Sequence, residues 1–177
     1  MVFEHPLLSL EVVERARDRE EARDFLVLHS PSWVNVVPVT PQGEMVLIRQ
    51  WRQGTGQETL EIPGGLVDPG ETPLAAGARE LLEETGYQAR EMLPLGWVHP
   101  NPALFDNRCY TFLAREAVPV AEQNLEETED IEVLLRPLAD LPGMVAQGEI
   151  SHSLVISALT LFWLKYGLAA LGQDDAA

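Results

Sequence analysis

Apolar and polar residues alternate through the first third of the chain. LSLEVVERAR (8–17), RDFLVLHS (23–30) and WVNVVPVTPQGEMVLIRQWR (33–52) each read as strands, since aliphatic and β-branched residues cluster between turn formers. The last run holds the Pro41-Gln42-Gly43 turn signal and predicts a hairpin. Leu60-Glu61-Ile62 predicts a short strand that breaks at Pro63-Gly64-Gly65 into a glycine-rich loop, whose backbone carbonyls would lie near whatever follows. At Thr72 the period changes. Threonine can cap free N–H groups, proline suits the first helical position, and Gly86 suits a left-handed stop, so a helix is predicted over 73–85. Leu74, Ala78, Leu81 and Leu82 gather on one side of that helix and are expected to be its buried face. Glu80, Glu83 and Glu84 fall on the other, within an arc of roughly 100°.

Strands are predicted again at LPLGWVHP (93–100) and RCYTFLAREAV (108–118), separated by the Pro100-Asn101-Pro102 bend, and at IEVLLRPL (131–138). A short helix and turn follow over 138–148. The apolar stretch 150–171 approaches the length of a membrane span, but His152, three serines, Thr160 and Lys165 make it a core-facing or dimer-facing helix instead. The alternation of strand and helix patterns predicts an α/β fold.

The 177 residues, 46% hydrophobic, suit one compact domain with a substantial core. One cysteine, Cys109, excludes an internal disulfide, and no basic segment precedes an apolar signal core, so a cytoplasmic protein is expected. A formal charge of −16, with one lysine and eleven arginines, argues against a nucleic-acid partner, because phosphate backbones are gripped by surplus cationic side chains. No membrane partner is expected either. A small anionic substrate remains compatible, provided bound metal and local arginines draw it in.

Carboxylates at i, i+3 and i+4 repel one another by a few tenths of a kcal/mol per pair, about as much as a helix loses to any like-charged pair. A hard divalent cation, Mg²⁺ or Mn²⁺, would compensate, since it takes carboxylate oxygens and keeps other positions for water or phosphate. The bland alternative for any such run is a solvated acidic face. The surrounding pattern decides against it: Gly65, five residues, Glu71, seven residues, then Arg79-Glu80-Leu81-Leu82-Glu83-Glu84-Thr85-Gly86-Tyr87.

That pattern resembles the signature of the Nudix hydrolases, with an aromatic Tyr87 where an aliphatic residue is usual. The resemblance implies a Nudix-type α/β/α sandwich with a mixed sheet, and hydrolysis of a diphosphate linkage. It implies metal ligation by Glu80 and Glu84, with Glu83 as a further ligand and Gly64 contributing its carbonyl. Arg79 and Glu71 would pair to hold the loop against the helix, a supporting role in which removal misplaces ligands.

Beyond the signature the chain is similar to the ADP-ribose pyrophosphatase branch. Arg49-Gln50-Trp51-Arg52 and LEIPGG (60–65) match its strand and loop, Pro102 stands fifteen positions after Tyr87, and GEISHSLVISALTLFWL (148–164) resembles its last helix. Glu127, Glu129, Asp130 and Ile131 line up with its acidic catalytic loop. On this likeness Glu127 is the expected general base, with Glu83 the alternative, and Glu129 assists a metal or water. Arg52, Glu61 and Pro102 are the expected substrate contacts, joined by Arg108 as a fork donor for phosphate or carboxylate. One departure is Asn107, where that branch commonly carries a glutamate. The expected substrate is ADP-ribose or an ADP-sugar, cut to a nucleoside monophosphate and a phosphorylated second group. Other nucleoside diphosphate sugars, dinucleotides and a non-catalytic nucleotide-sensing module are the alternatives. The expected layout is a strand-rich extension over 1–32 that forms a homodimer, a catalytic core over 33–171 and a tail over 172–177.

Overall fold

The computed structural model describes residues 2–5, 7–16, 21–126 and 129–167. Strands β1 (Phe3–His5), β2 (Leu8–Arg15) and β3 (Arg23–His29) form an antiparallel sheet of their own. The principal sheet is built from β4 (Trp33–Val39), β5 (Glu44–Arg52), β6 (Gln57–Glu61) and β7 (Gly64–Leu66). After helix α1 (Pro73–Thr85) and the short β8 (Tyr87–Gln88) come β9 (Glu91–Val98), β10 (Cys109–Arg115), β11 (Val118–Pro119) and β12 (Ile131–Pro137). A 3-10 turn leads into α2 (Leu141–Ala146), and α3 (Ser153–Tyr166) ends the described chain. Strand order is β12-β5-β4-β10-β9, with β4 and β10 parallel and the other neighbours antiparallel.

Alternate residues of the central strands divide between two layers, as a period of two requires. Val34, Val36, Phe112 and Ala114 pack against Ala76 and Leu81 of α1, while Val37, Met45, Leu47 and Leu113 pack against Val155, Ala158, Leu159 and Phe162 of α3. The result is the α/β/α sandwich. Gly77 sets the closeness of α1, because a Cβ there would stand 3.1 Å from Val34 and 3.2 Å from Val36.

The predicted β4–β5 hairpin is splayed. The two strands meet at Val39 and Met45, but further out β5 pairs with β6 through Ile48 and Glu61, and β4 pairs with β7 through Asn35 and Gly64. The corner 61–64 is thereby wedged into the fork, where the Val36 N–H donates to the Pro63 carbonyl at 2.8 Å. Gly64 and Gly65 are therefore strand residues and not a free loop. Gly64 fits only without a side chain, since a Cβ would strike the Val34 carbonyl.

The helix α1 corrects the amphipathic reading. Of the four residues expected in the core only Leu81 is buried; Leu74 and Leu82 are 44% and 37% exposed, and Ala78 is exposed. Glu80 and Glu84, on the arc opposite the expected buried face, are 9% and 3% exposed. The reason is tertiary: α1 meets the sheet through Ala76, Gly77 and Leu81, and β7 closes over the edge that carries the two acids. The last helix is shorter than its apolar run, ending at Tyr166, and residues beyond 167, including the expected tail, lie outside the described residues. Among the described residues no helix is long and apolar enough to cross a membrane.

The N-terminal sheet is tied to the bend before β10. The Leu28 N–H donates to the Leu104 carbonyl at 2.7 Å, and the His29 ring sits between Asp106 (2.6 Å) and Glu11 (2.9 Å). The Asp106 bond, then the Glu11 bond, raises the His29 pKa. A raised folded pKa means that the tie is fully present below the unfolded value of about 6.5 and is lost as pH rises through the folded one. Amide exchange at Leu28 and Asp106 is accordingly expected to quicken, beyond its intrinsic pH dependence, as pH rises through the His29 titration.

Candidate active site

The local rules of helix ends place the carboxylates. The Thr72 hydroxyl accepts from the Ala75 N–H at 3.2 Å, and Gly86, at φ +72°, donates its N–H to the Leu82 carbonyl at 2.8 Å. Between these caps, the i, i+4 spacing turns Glu80 and Glu84 together toward β7. The Gly64 N–H donates to Glu84 Oε2 at 2.8 Å. Next to it, Gly65 leaves room for Glu80, whose carboxylate a Cβ would strike. Burial pushes the Glu84 pKa up to about 8, with Glu80 and Glu129 adding to the rise against the Gly64 bond. Burial likewise raises Glu80.

Arg79 gathers the remaining acids. Its Nε and Nη2 donate to Glu71 at 3.2 and 3.0 Å, Nη2 also to the Leu66 carbonyl at 3.1 Å, and Nη1 to Glu80 at 2.9 Å and Glu83 at 3.0 Å. One guanidinium thus joins the loop after β7 to three carboxylates, using the fork geometry that lysine lacks.

The acidic loop before β12 closes this cleft. Glu80, Glu83, Glu126 and Glu129 line a hollow of about 410 Å³. The Glu126 N–H donates to Glu129 at 2.9 Å, and the Asn124 N–H to the Glu83 carbonyl at 2.8 Å. Gln123, a residue the sequence reading passed over, donates through Nε2 to the Glu84 carbonyl at 2.6 Å and the Ile131 carbonyl at 3.1 Å. It pins the root of the loop to the end of α1. A lone glutamine in a polar run carries no signal of that kind. Glu127, the expected base, lies outside the described residues.

Beside β7 a cavity of about 640 Å³ opens in the fork of the splayed hairpin. Trp33, Trp51, Arg52, Glu61 and His152 line it together with Gly64 and Gly65. Arg52 donates twice to Glu61, both bonds 2.7 Å, and the Thr59 hydroxyl donates to the same carboxylate at 2.6 Å. Those bonds hold Glu61 below the usual carboxylate range although burial opposes them. Truncating Arg52 leaves a 3% exposed carboxylate unpaired. Arg52→Ala should therefore cost about 2–3 kcal/mol at neutral pH, at the lower end for a buried pair because the arginine is itself half-exposed. The loss should shrink at low pH, where Glu61 is neutral in both proteins; urea unfolding at two pH values checks it.

The other two expected substrate contacts are not in this cavity. Pro102 is exposed on the bend, and the Arg108 guanidinium lies 4.4 Å over the exposed Trp97 ring. Asn107 is buried and donates to the Pro31 carbonyl at 3.0 Å, a bond a glutamate could not make when charged. Trp33 and His152 were missed because each reads as an ordinary strand or helix-flank residue until the fold brings them together.

Among the described residues no three acidic, histidine or cysteine side chains already converge on one point. The donor set nevertheless fits a hard divalent cation. Burial pushes enclosed Glu80 and Glu84 toward protonation, they repel each other, and a bound cation would favour their ionised forms.

The fold and this site define a class: a diphosphate hydrolase of the α/β/α sandwich type. The chain belongs to the Nudix family, the NUDIX domain matching residues 29–158, and it is a pyrophosphohydrolase by class. It is 30% identical over 164 residues to the ADP-ribose pyrophosphatase of Bacillus subtilis, a match spanning 92% of this chain and 88% of that protein. It is also 30% identical over 134 residues to the ADP compounds hydrolase NudE of Escherichia coli, covering 75% of this chain and 71% of that one. A crystal structure of an ADP compounds hydrolase superposes with a TM-score of 0.74 at 24% identity, over 92% of this chain and 97% of the other, and establishes the likeness of fold.

Proposed function

We propose that the protein is a Mg²⁺- or Mn²⁺-dependent pyrophosphohydrolase that cleaves ADP-ribose or an ADP-sugar to AMP and a phosphorylated sugar. The observation that carries the reading is that two sites adjoin one short strand. A nucleoside-sized cavity lined by two tryptophans reaches Gly64 and Gly65 of β7, and the buried Glu80–Glu84 pair packs against the same two glycines. A diphosphate lying across Gly64 and Gly65 would reach both. The sequence likeness to an ADP-ribose pyrophosphatase supports the choice of nucleotide.

In the reaction a water oxygen bonds to one phosphorus as the bridging P–O bond breaks, and the two protons of water are shared between the products and a base. Glu80, Glu83, Glu84 and Glu129 would hold the cations, with the Gly64 carbonyl beside them. When bound, those ions lower the pKa of water and neutralise charge on the attacked and leaving oxygens. The chain supplies position. Arg79 orients Glu80 and Glu83 while Glu71 orients Arg79. Gln123 brings the loop carrying Glu126 and Glu129 against α1, and on the branch likeness Glu127 of that loop takes the proton, with Glu83 as the alternative. Arg52 and Glu61 form the floor of the nucleoside cavity. Pro102 and Arg108, on the bend before β10, would approach a substrate only from outside that cavity.

Exposed Phe3, Val12, Phe25 and Leu26 on the N-terminal sheet support a homodimer in which this sheet is covered by a second copy. A free buried cysteine supports a cytoplasmic setting. The deciding assay offers ADP-ribose, other sugar nucleotides, dinucleotides and nucleoside triphosphates with Mg²⁺ or Mn²⁺. AMP plus ribose phosphate is expected from ADP-ribose, with activity abolished by EDTA. Release of inorganic pyrophosphate from triphosphates alone would overturn the reading, as would tight ADP-ribose binding with no product.

A further inference from the structure

We propose that His152 is a specificity-determining residue whose Nε2–H donates a hydrogen bond to an acceptor on the nucleobase edge in the cavity. The base as ligand rests on the function proposed above; the donor itself rests on geometry. His152 precedes α3 in an extended conformation (φ −67°, ψ 120°) and acts as the cap of that helix. The Leu154 N–H donates to its Nδ1 at 3.3 Å. An imidazole nitrogen that accepts from an N–H carries no hydrogen, so the neutral ring has its hydrogen on Nε2. The helix cap thus selects the tautomer.

The ring also lines the cavity, beside Trp33, Trp51 and Glu61. Several side-chain donors close to it are already committed. Arg52 gives Nε and Nη2 to Glu61, the Thr59 hydroxyl is given to Glu61, and Asn35 Nδ2 is given to the Leu154 carbonyl at 3.1 Å. Among the described residues His152 Nε2 has no protein partner. That Asn35 bond, together with the Leu154 N–H, fixes the backbone from which the ring projects, so the free donor is held by the fold. Stacking on either tryptophan of the lining would not distinguish one base from another. A fixed N–H on the cavity wall can, because bases differ in where their edge acceptors lie.

The two duties of the ring separate by substitution. His152→Ser keeps an oxygen that can cap α3 and removes the reaching donor, whereas His152→Ala removes both. His152→Ser is expected to melt close to the parent. Its KM for ADP-ribose should rise about 3- to 10-fold with kcat within about twofold, the effect of one lost neutral hydrogen bond. Calorimetric affinity for AMP should fall by the same factor, and any preference for AMP over CMP should narrow. His152→Ala should show the same binding loss with added instability. Unchanged KM and AMP affinity in His152→Ser would overturn the inference and leave His152 as a helix cap alone. So would a binding loss seen only in His152→Ala and in step with its melting temperature. AMP binding needs no turnover, so a parent protein that cleaves no sugar nucleotide would defeat the proposed function while the AMP comparison still decides the role of His152.

Discussion

Glu84→Gln is expected to lower kcat by about 10²–10³-fold while the protein folds as before, because under the proposed function it removes charge from a cation-binding position. The substitution is nearly isosteric, and the glutamine oxygen can still accept the Gly64 N–H now given to Glu84. The lesion should therefore be read in turnover and in Mn²⁺ affinity. Stability should move the other way in EDTA. Glu84 is an acid whose folded pKa is raised, to about 8, by burial and then by its acidic neighbours. The folded state then binds more protons than the unfolded one, and stability falls as pH climbs from the unfolded value of about 4.3 toward the folded one. Glutamine is exempt from that loss. The melting temperature of Glu84→Gln minus that of the parent, both metal-free, should grow between about pH 5 and pH 8. A variant that keeps full activity, or a gap that closes with rising pH, would contradict the assignment.

Gly65→Ala should produce the second large effect, and through one methyl group. A Cβ at Gly65 would overlap the Glu80 carboxylate. The obstacle is the far end of a flexible side chain, so Glu80 can swing away at small cost to the fold, but it leaves the position from which it would act. Activity is expected to fall about 10- to 100-fold, the range for misplacing a ligand without deleting it, with little change in melting temperature. Gly64→Ala supplies the contrast. There the new Cβ meets the Val34 carbonyl, a backbone atom of a central strand that cannot yield, and the fold itself should be destabilised. Parallel melting curves and turnover rates for the two variants separate a damaged site from a damaged scaffold.

Much of the strand and helix layout was legible because it depends on local chemistry. The runs at 8–17, 23–30, 33–52, 108–118 and 131–138 alternate strongly, and Thr72, Pro73 and Gly86 bound a helix by rules that act within one turn. Spacing also put Glu80, Glu83 and Glu84 on one arc. It could not tell which arc was buried. Four aliphatic residues outvoted two acids in the pattern, yet the neighbour on the acidic side is a glycine strand with room for carboxylates, and of the aliphatic four only Leu81 meets the sheet.

The glycine-rich segment illustrates the same boundary. Read locally, Pro63-Gly64-Gly65 is a break in a strand. In the fold it is the wedge that splits a hairpin, and this split makes both the cavity and its contact with the acids. Arg52 and Glu61 stood out by likeness to relatives, but their mutual ion pair, the helix cap that sets the His152 tautomer and the Gln123 clamp join residues whose pairing no local rule predicts.

The chain by itself therefore determined its family, its α/β character and the set of acids proposed for the site, because motif spacing and helix capping are properties of neighbouring residues. Which of those acids are buried, what stands between them and the cavity in the hairpin fork, and which donors are left free there were decided only by tertiary structure. Burial and hydrogen-bond commitment depend on what packs against a residue from elsewhere in the chain, and β7, held on β4 by the corner in the hairpin fork, supplies that packing here.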